Sequence, residues 1–149
     1  MKKFLFYILF FNLAVSFCQE EASNWYFGNG AGLIFDVDNG TVTADASAIN
    51  TISTNEGCSS ISDPDGNLLL YTDGRNVWDA NHQLMPNADY NAGLGLLGDP
   101  SSTSSGLIVP KPGNTDQYYV FTVDEPHHNN AWAWPNQGPA DQNGNPLVL

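Results

Sequence analysis

Ser59-Ser60-Ile61-Ser62-Asp63-Pro64-Asp65-Gly66-Asn67-Leu68-Leu69-Leu70-Tyr71-Thr72-Asp73-Gly74 is the stretch that decides the fold. A short run ends at Ser62, the chain breaks at Asp-Pro-Asp-Gly-Asn, and Leu68–Thr72 resumes before a second break at Asp73-Gly74. Pro64 presets φ and Gly66 accepts a left-handed conformation that other residues resist, so the break predicts a turn between adjacent antiparallel strands. Leu68-Leu69-Leu70-Tyr71 does not alternate between polar and apolar, which predicts a central strand buried on both faces.

The same grammar runs outward in both directions. Trp25–Phe27, Leu33–Val37, Thr41–Ala44, Cys58–Ser62, Asn76–Trp78, Leu107–Val109 and Tyr118–Val123 are short β-prone runs. Asp38-Asn39-Gly40 and Pro112-Gly113-Asn114 are further turns, and Tyr118–Phe121 again lacks alternation. From Asn24 onward no stretch keeps a helical period for three turns, so no helix is predicted. Two copies of strand, Pro/Gly/Asn turn and aromatic strand are visible, with Ile61 matched to Ile108 and Asp73 to Asp124. A repeat of ~40–50 residues is that of a propeller blade, although two hairpins sharing turn residues by chance give the same pattern. The predicted class is all-β, built of antiparallel blades of an incomplete β-propeller-like domain.

Composition agrees. The chain of 149 residues carries 16 Asp+Glu against 4 Lys+Arg, a formal charge of −12, with 14 Gly and 9 Pro. Four cations cannot build a phosphate-binding surface, so nucleic acid is excluded as a partner. A hydrophobic content of 42% with 12% aromatics is too high for a disordered acidic tail.

Lys2-Lys3 followed by the apolar run Phe4 to Phe17 has the layout of a secretory signal peptide, residues 1–18, with a signal-peptide helix expected there. The run is shorter than the ~20 apolar residues a membrane span needs, so no membrane insertion is expected after cleavage. Ser16 and Cys18 suit the −3 and −1 positions, whereas bulky Phe17 argues against acylation of Cys18. Cleavage removes two of the four cations, taking the formal charge to −14, and leaves Cys58 as the lone cysteine. Cys58 reads as a small buried hydrophobe in a strand.

Residues 24–149 hold fewer than three blades of ~40 residues, and a closed propeller needs at least four. The chain therefore reads as the N-terminal piece of a longer protein. Residues 125–149 read as a loop insertion and the start of a further strand.

Asn24-Trp25-Tyr26-Phe27-Gly28, Ala31-Gly32-Leu33-Ile34-Phe35-Asp36, Thr54-Asn55-Glu56-Gly57-Cys58-Ser59-Ser60-Ile61-Ser62-Asp63, Gly66–Gly74, Val77-Trp78-Asp79, Gly98–Ser105, Ile108–Gly113 and Tyr118–Asp124 occur in that order. Together, over residues 24–124, they resemble the N-terminal propeller-like region of large secreted Bacteroidota proteins. Those proteins end in a gliding-motility-associated, type B sorting domain read by the type IX secretion system. The resemblance implies export, a propeller-like region and secretion or placement on the cell surface, and it carries no catalytic residues. The chain shows no such sorting domain, so the fragment itself is expected in the periplasm.

Candidate sites are few. An EF-hand loop needs acids at positions 1, 3 and 5, Gly at 6 and Glu at 12. Loops starting at Asp63 and Asp36 both miss this pattern, so calcium is a weaker reading than hairpin corners. His127-His128 point to opposite sides of an extended chain and His82 is distant, so no metal site is assigned. No Gly-x-Ser-x-Gly elbow and no outstanding carboxylate pair mark a hydrolase. Trp132-Ala133-Trp134 places two indoles on one side of an extended segment, flanked by Asn130 and Gln137. They read either as a stacking platform for a polysaccharide or as aromatics that cover an edge of the blade stack.

The functional expectation is an exported, non-enzymatic structural, adhesion or ligand-binding module whose partners are the remaining blades and domains of its parent, with no cofactor. The alternatives are a polysaccharide-binding module and part of a propeller hydrolase with its active site in other blades.

Overall fold

The computed structural model describes residues 20–124. After a 3-10 turn at Glu20–Ala22 come β1 (Asn24–Phe27), β2 (Ala31–Asp36), β3 (Thr41–Asp45), β4 (Ser59–Ser62), β5 (Leu68–Thr72), β6 (Val77–Asp79), β7 (Gly106–Pro110) and β8 (Tyr118–Thr122). Each coincides with a run read from the sequence. All pairings are antiparallel, in three sheets ordered β1-β2-β3, β4-β5-β6 and β7-β8. The residues described are thus all-β. The signal segment and residues 125–149 lie outside them.

Aspartate explains the turns and much of the acidity. Asp63 Oδ1 accepts the backbone N–H groups of Asp65 and Asn67, at 2.9 and 2.8 Å, closing the β4–β5 corner. Asp36 accepts from Asn39 between β2 and β3, and Asp73 from Arg75 and Asn76 between β5 and β6. Asp79 and Asp89 do the same in later loops. A carboxylate that satisfies two backbone donors of a tight turn fixes its geometry at a point where no sheet partner is available. Gly66 sits at φ 80°, the left-handed position the β4–β5 turn requires.

The first strands of the sheets lie side by side, β1 against β4 and β4 against β7. The junction between the first and second sheets is aromatic. Tyr26, Tyr71 and Trp78 form the core there, with Ala48 and Ile52 from the β3–β4 connection. That connection is tied back by a bridge between Asn29 and Ser53 and by Thr54 N–H to Gly28 C=O. The second junction is made of small residues. Ser105 is fully buried and donates to Gly57 C=O at 2.6 Å, while the Thr122 hydroxyl lies 2.7 Å from both Gly74 C=O and Ser105 C=O. A Cβ on Gly57 would stand 2.3 Å from Ser105 N, so this junction brings backbone against backbone.

Three details differ from the sequence reading. Tyr118–Phe121 is not buried on both faces: Phe121 is 57% and Tyr119 47% exposed, because among the described residues nothing covers the far side of the third sheet. β5 fits the expectation better, since it is the central strand of its sheet and Tyr71 is fully buried. Cys58 precedes β4 and is half-buried against the aromatic core. Ile61 and Ile108, matched as repeat equivalents, point opposite ways along the stack. Ser60 bonds Asn24 of the first sheet, so its neighbour Ile61 faces the third; Gly106 abuts Thr72, so Ile108 faces back to the second. The hairpins repeat, but not residue for residue.

Candidate functional site

The densest cluster of chemistry-bearing side chains rims the aromatic junction. Tyr26 is an inward residue of β1, alternating with exposed Trp25 and Phe27, and its register partner is Gly32. A Cβ on Gly32 would stand 2.9 Å from the Tyr26 ring, so glycine there makes room for it. The Tyr26 ring stacks on Tyr71 at 4.8 Å, and Tyr71 on its register partner Trp78 at 5.2 Å. Offset stacking of this kind adds about 1 kcal/mol per pair beyond area burial.

The hydroxyl end of the stack is a hydrogen-bond chain whose direction is determined. The Tyr26 hydroxyl donates to Asp45 Oδ2 at 2.6 Å, and Ser47 donates to the same oxygen at 2.5 Å. Thr51 Oγ1 donates its one proton to Ala48 C=O at 2.6 Å. Its 2.9 Å contact with Tyr71 Oη therefore requires Tyr71 to donate. Tyr71 has then spent its proton, so at 3.1 Å it accepts from His82 Nδ1–H. The neutral imidazole is the Nδ1–H tautomer, with Nε2 as the unprotonated nitrogen.

His82 reaches this place through an unusual backbone. The loops 63–67 and 79–83 share one hydrogen-bond pattern: Asp N–H to the fifth residue's C=O, the fourth N–H to the Asp C=O, and the carboxylate onto the third and fifth N–H. At the fourth position one loop has Gly66 and the other has His82, at φ 60°. A left-handed imidazole-bearing residue is strained relative to glycine, and the ring's contacts with Tyr26 (5.3 Å) and Tyr71 (5.7 Å) offset that strain.

Burial works to raise the Asp45 carboxyl, yet the hydrogen bonds from Ser47 and Tyr26, with the His82 charge adding to them, hold it below the ordinary carboxylate range. Tyr26 is pushed up to about 12, first by burial and then by its bond to Asp45. Tyr71 is raised as well, chiefly by burial. The Ser47 and Thr51 protons point to Asp45 and to Ala48 C=O, away from His82. The rim joins β1, β3, β5 and two loops.

Grooves open elsewhere on the described surface. One, of about 280 Å³, runs between β1 and β4 and is lined by Trp25, Phe27, Cys58, Ser59 and Ser60. Burial raises the Cys58 thiol, which keeps it protonated and unreactive. The other, of about 200 Å³, carries Glu20, Asp36, Asp38 and Asp65. Asp36 is engaged by Asn39, and among the described residues no three metal-ligating side chains converge.

Arg75 anchors the long β6–β7 connection. Its Nε donates to Gly98 C=O at 2.9 Å, its terminal nitrogen pairs with Asp99, and its guanidinium lies 4.7 Å over the Tyr90 ring.

Trp132, Trp134, Asn130, Gln137, His127 and His128 lie outside the described residues. Of the histidines weighed in the sequence, His82 is placed, and it joins two tyrosines. The Tyr26–Asp45–Tyr71–His82 rim had no local signature, because its members come from four separate segments. Among the described residues no helix is long and apolar enough to cross a membrane. Comparison with known protein families, curated proteins and solved structures finds no match.

Proposed function

We propose that this chain is an exported, non-enzymatic structural module of a larger cell-surface or secreted protein, its three sheets being consecutive blades of a β-propeller-like domain. One observation carries the reading: the end sheets of the stack turn half-exposed apolar faces outward. Trp25, Phe27 and Val42 lie on one, and Leu107, Tyr119, Phe121 and Val123 on the other. Contiguous apolar surface of this kind marks interfaces, and further sheets of the parent are the partners that fit it. The side-by-side first strands support a radial arrangement, and the Lys2-Lys3 apolar leader supports export. Adhesion is the role such a module would serve at a surface.

The test compares the chain lacking residues 1–18 with a version extended by the coding sequence downstream of Leu149. Light scattering and calorimetry on the shorter form should show loose packing or small oligomers and a broad transition. The extended form should melt sharply. A monodisperse short form with one sharp melt overturns the reading. Intact-mass analysis of exported protein should find Gln19 at the N-terminus, and a mass retaining residues 1–18 would defeat the export part.

A further inference from the structure

We propose that the Asn39-Gly40 corner between β2 and β3 is a site of spontaneous covalent modification, where Asn39 deamidates through a cyclic imide, while the fold protects Asn29-Gly30 from the same reaction. Asparagine followed by glycine is the favourable pair for this chemistry, because glycine has no side chain to shield its backbone nitrogen. In the step, the Gly40 nitrogen attacks Asn39 Cγ. The new N–C bond forms as the bond to the carboxamide nitrogen breaks, and ammonia leaves with the Gly40 proton. Water then opens the imide at either carbonyl, leaving aspartate or isoaspartate at position 39.

The two pairs share a sequence and differ in surroundings. Both asparagines are exposed, and both glycines are left-handed, Gly30 at φ 73° and Gly40 at φ 62°. Gly40 is exposed too, and a Cβ built on it would meet nothing within 4 Å. Gly30 is buried: the same Cβ would stand 2.7 Å from Ile49 Cα and 2.8 Å from the Ala48 carbonyl oxygen. Asn29 is further held by its antiparallel bridge to Ser53, beside the bond from Thr54 N–H to Gly28 C=O. Imide closure needs the side chain and the following peptide to swing together. At Asn39 a local opening of the turn suffices, whereas at Asn29 the β3–β4 connection must first lift away.

Asn39 is tethered by Asp36, whose oxygens accept its backbone N–H at 2.9 Å and its carboxamide at 2.7 Å. These bonds are exposed, so water competes for them and the tether opens readily. Deamidation replaces the carboxamide donor with a carboxylate facing Asp36, and isoaspartate also lengthens the backbone by one carbon. The modified corner loosens β3, which among the described residues pairs with β2 alone. None of this needs a partner blade, so it stands apart from the module's role in a larger protein.

Peptide mapping of the full chain, held at mildly alkaline pH and sampled over weeks, decides it, and also separates Asn143-Gly144, which lies outside the described residues. Conversion to aspartate and isoaspartate should run at least about tenfold faster at Asn39 than at Asn29 in the folded chain, and at similar rates in urea. Gly40→Asn keeps the left-handed tolerance but shields the nitrogen, and should slow conversion at Asn39 at least about tenfold with the melting temperature unchanged. In the aged protein the Thr41–Asp45 amides should exchange faster while those of β4–β6 keep their protection. Equal rates at the two sites in the folded chain, including none at either, a slower Asn39, conversion in Gly40→Asn as fast as in wild type, or β3 amides unaffected by conversion would each overturn the proposal.

Discussion

At the scale of single residues, His82 and Gly66 occupy one position of one turn type and solve it differently. Gly66→Val should cost ~1–3 kcal/mol, because the left-handed backbone at φ 80° rejects a β-branched side chain. Asp65→Ser, in the same turn, should leave the melting temperature nearly unchanged, since the turn uses only the Asp65 backbone N–H. A calcium-dependent rise in the wild-type melt together with damage from Asp65→Ser would reverse that assignment. His82→Asn keeps the left-handed tolerance but shortens the reach to Tyr71. It should cost about 1–2 kcal/mol through the lost hydrogen bond and ring contacts. Long-range nitrogen–proton correlation spectra should find the proton of the neutral imidazole on Nδ1, and an Nε2–H tautomer would refute the donor sequence from Tyr71 to Thr51. Tyr26 supplies an alkaline limit. Its folded pKa, about 12, is above the ordinary 10.0, so the native state holds this proton more tightly than the unfolded chain. The associated stability is complete below pH 10 and drains away as pH rises toward 12. Denaturant melts of wild type and Tyr26→Phe should differ most below pH 10 and converge as pH rises toward 12, the variant lacking this contribution throughout.

Elements tell a different story from residues, because two adjacent junctions of the same stack use opposite materials. The aromatic junction meets through side-chain rings. The Gly57–Ser105–Thr122 junction does not, and Gly57→Ala should destabilise more than any exposed glycine replacement, by several kcal/mol on the order of an overpacked core. Arg75→Met removes an ion pair and a carbonyl contact but keeps the aliphatic stem over Tyr90, and should cost about 2 kcal/mol by thermal melt. The corners respond to acid. Asp36, Asp63 and Asp79 are held below the ordinary 3.8, the first two chiefly by side-chain hydrogen bonds from Asn39 and Asn67, the third by the Gln83 backbone N–H. Folded values below unfolded ones mean that their stabilisation is present above about pH 4 and lost as pH falls through the folded values. The strands were legible because each is a short β-prone run closed by Asp, Gly or Pro, a signal contained within a few residues. The facing of β8, the parity of Ile61 and Ile108, and the hydroxyl rim were not. Each depends on which sheet lies across the gap, and that information is distributed over segments up to 56 residues apart, as Tyr26 is from His82.

For the whole molecule, charge and open faces oppose one another. A formal charge of −12 resists association, while apolar end faces favour it. Added salt should screen the repulsion and increase self-association, and Phe121→Glu should suppress that increase without lowering the melting temperature. Light scattering against ionic strength measures both. The three sheets are separate ladders that meet through side-chain and loop hydrogen bonds, such as Asn24 to Ser62 and Ile108 N–H to Ser59, and each is joined to the next by a single covalent connection. Pulled from its two ends, such a chain is a row of separately breakable links: a tether should yield in discrete steps, one sheet per step, each releasing a few tens of residues of slack. A protein anchored at a cell surface and loaded by flow would then dissipate force gradually instead of failing at once.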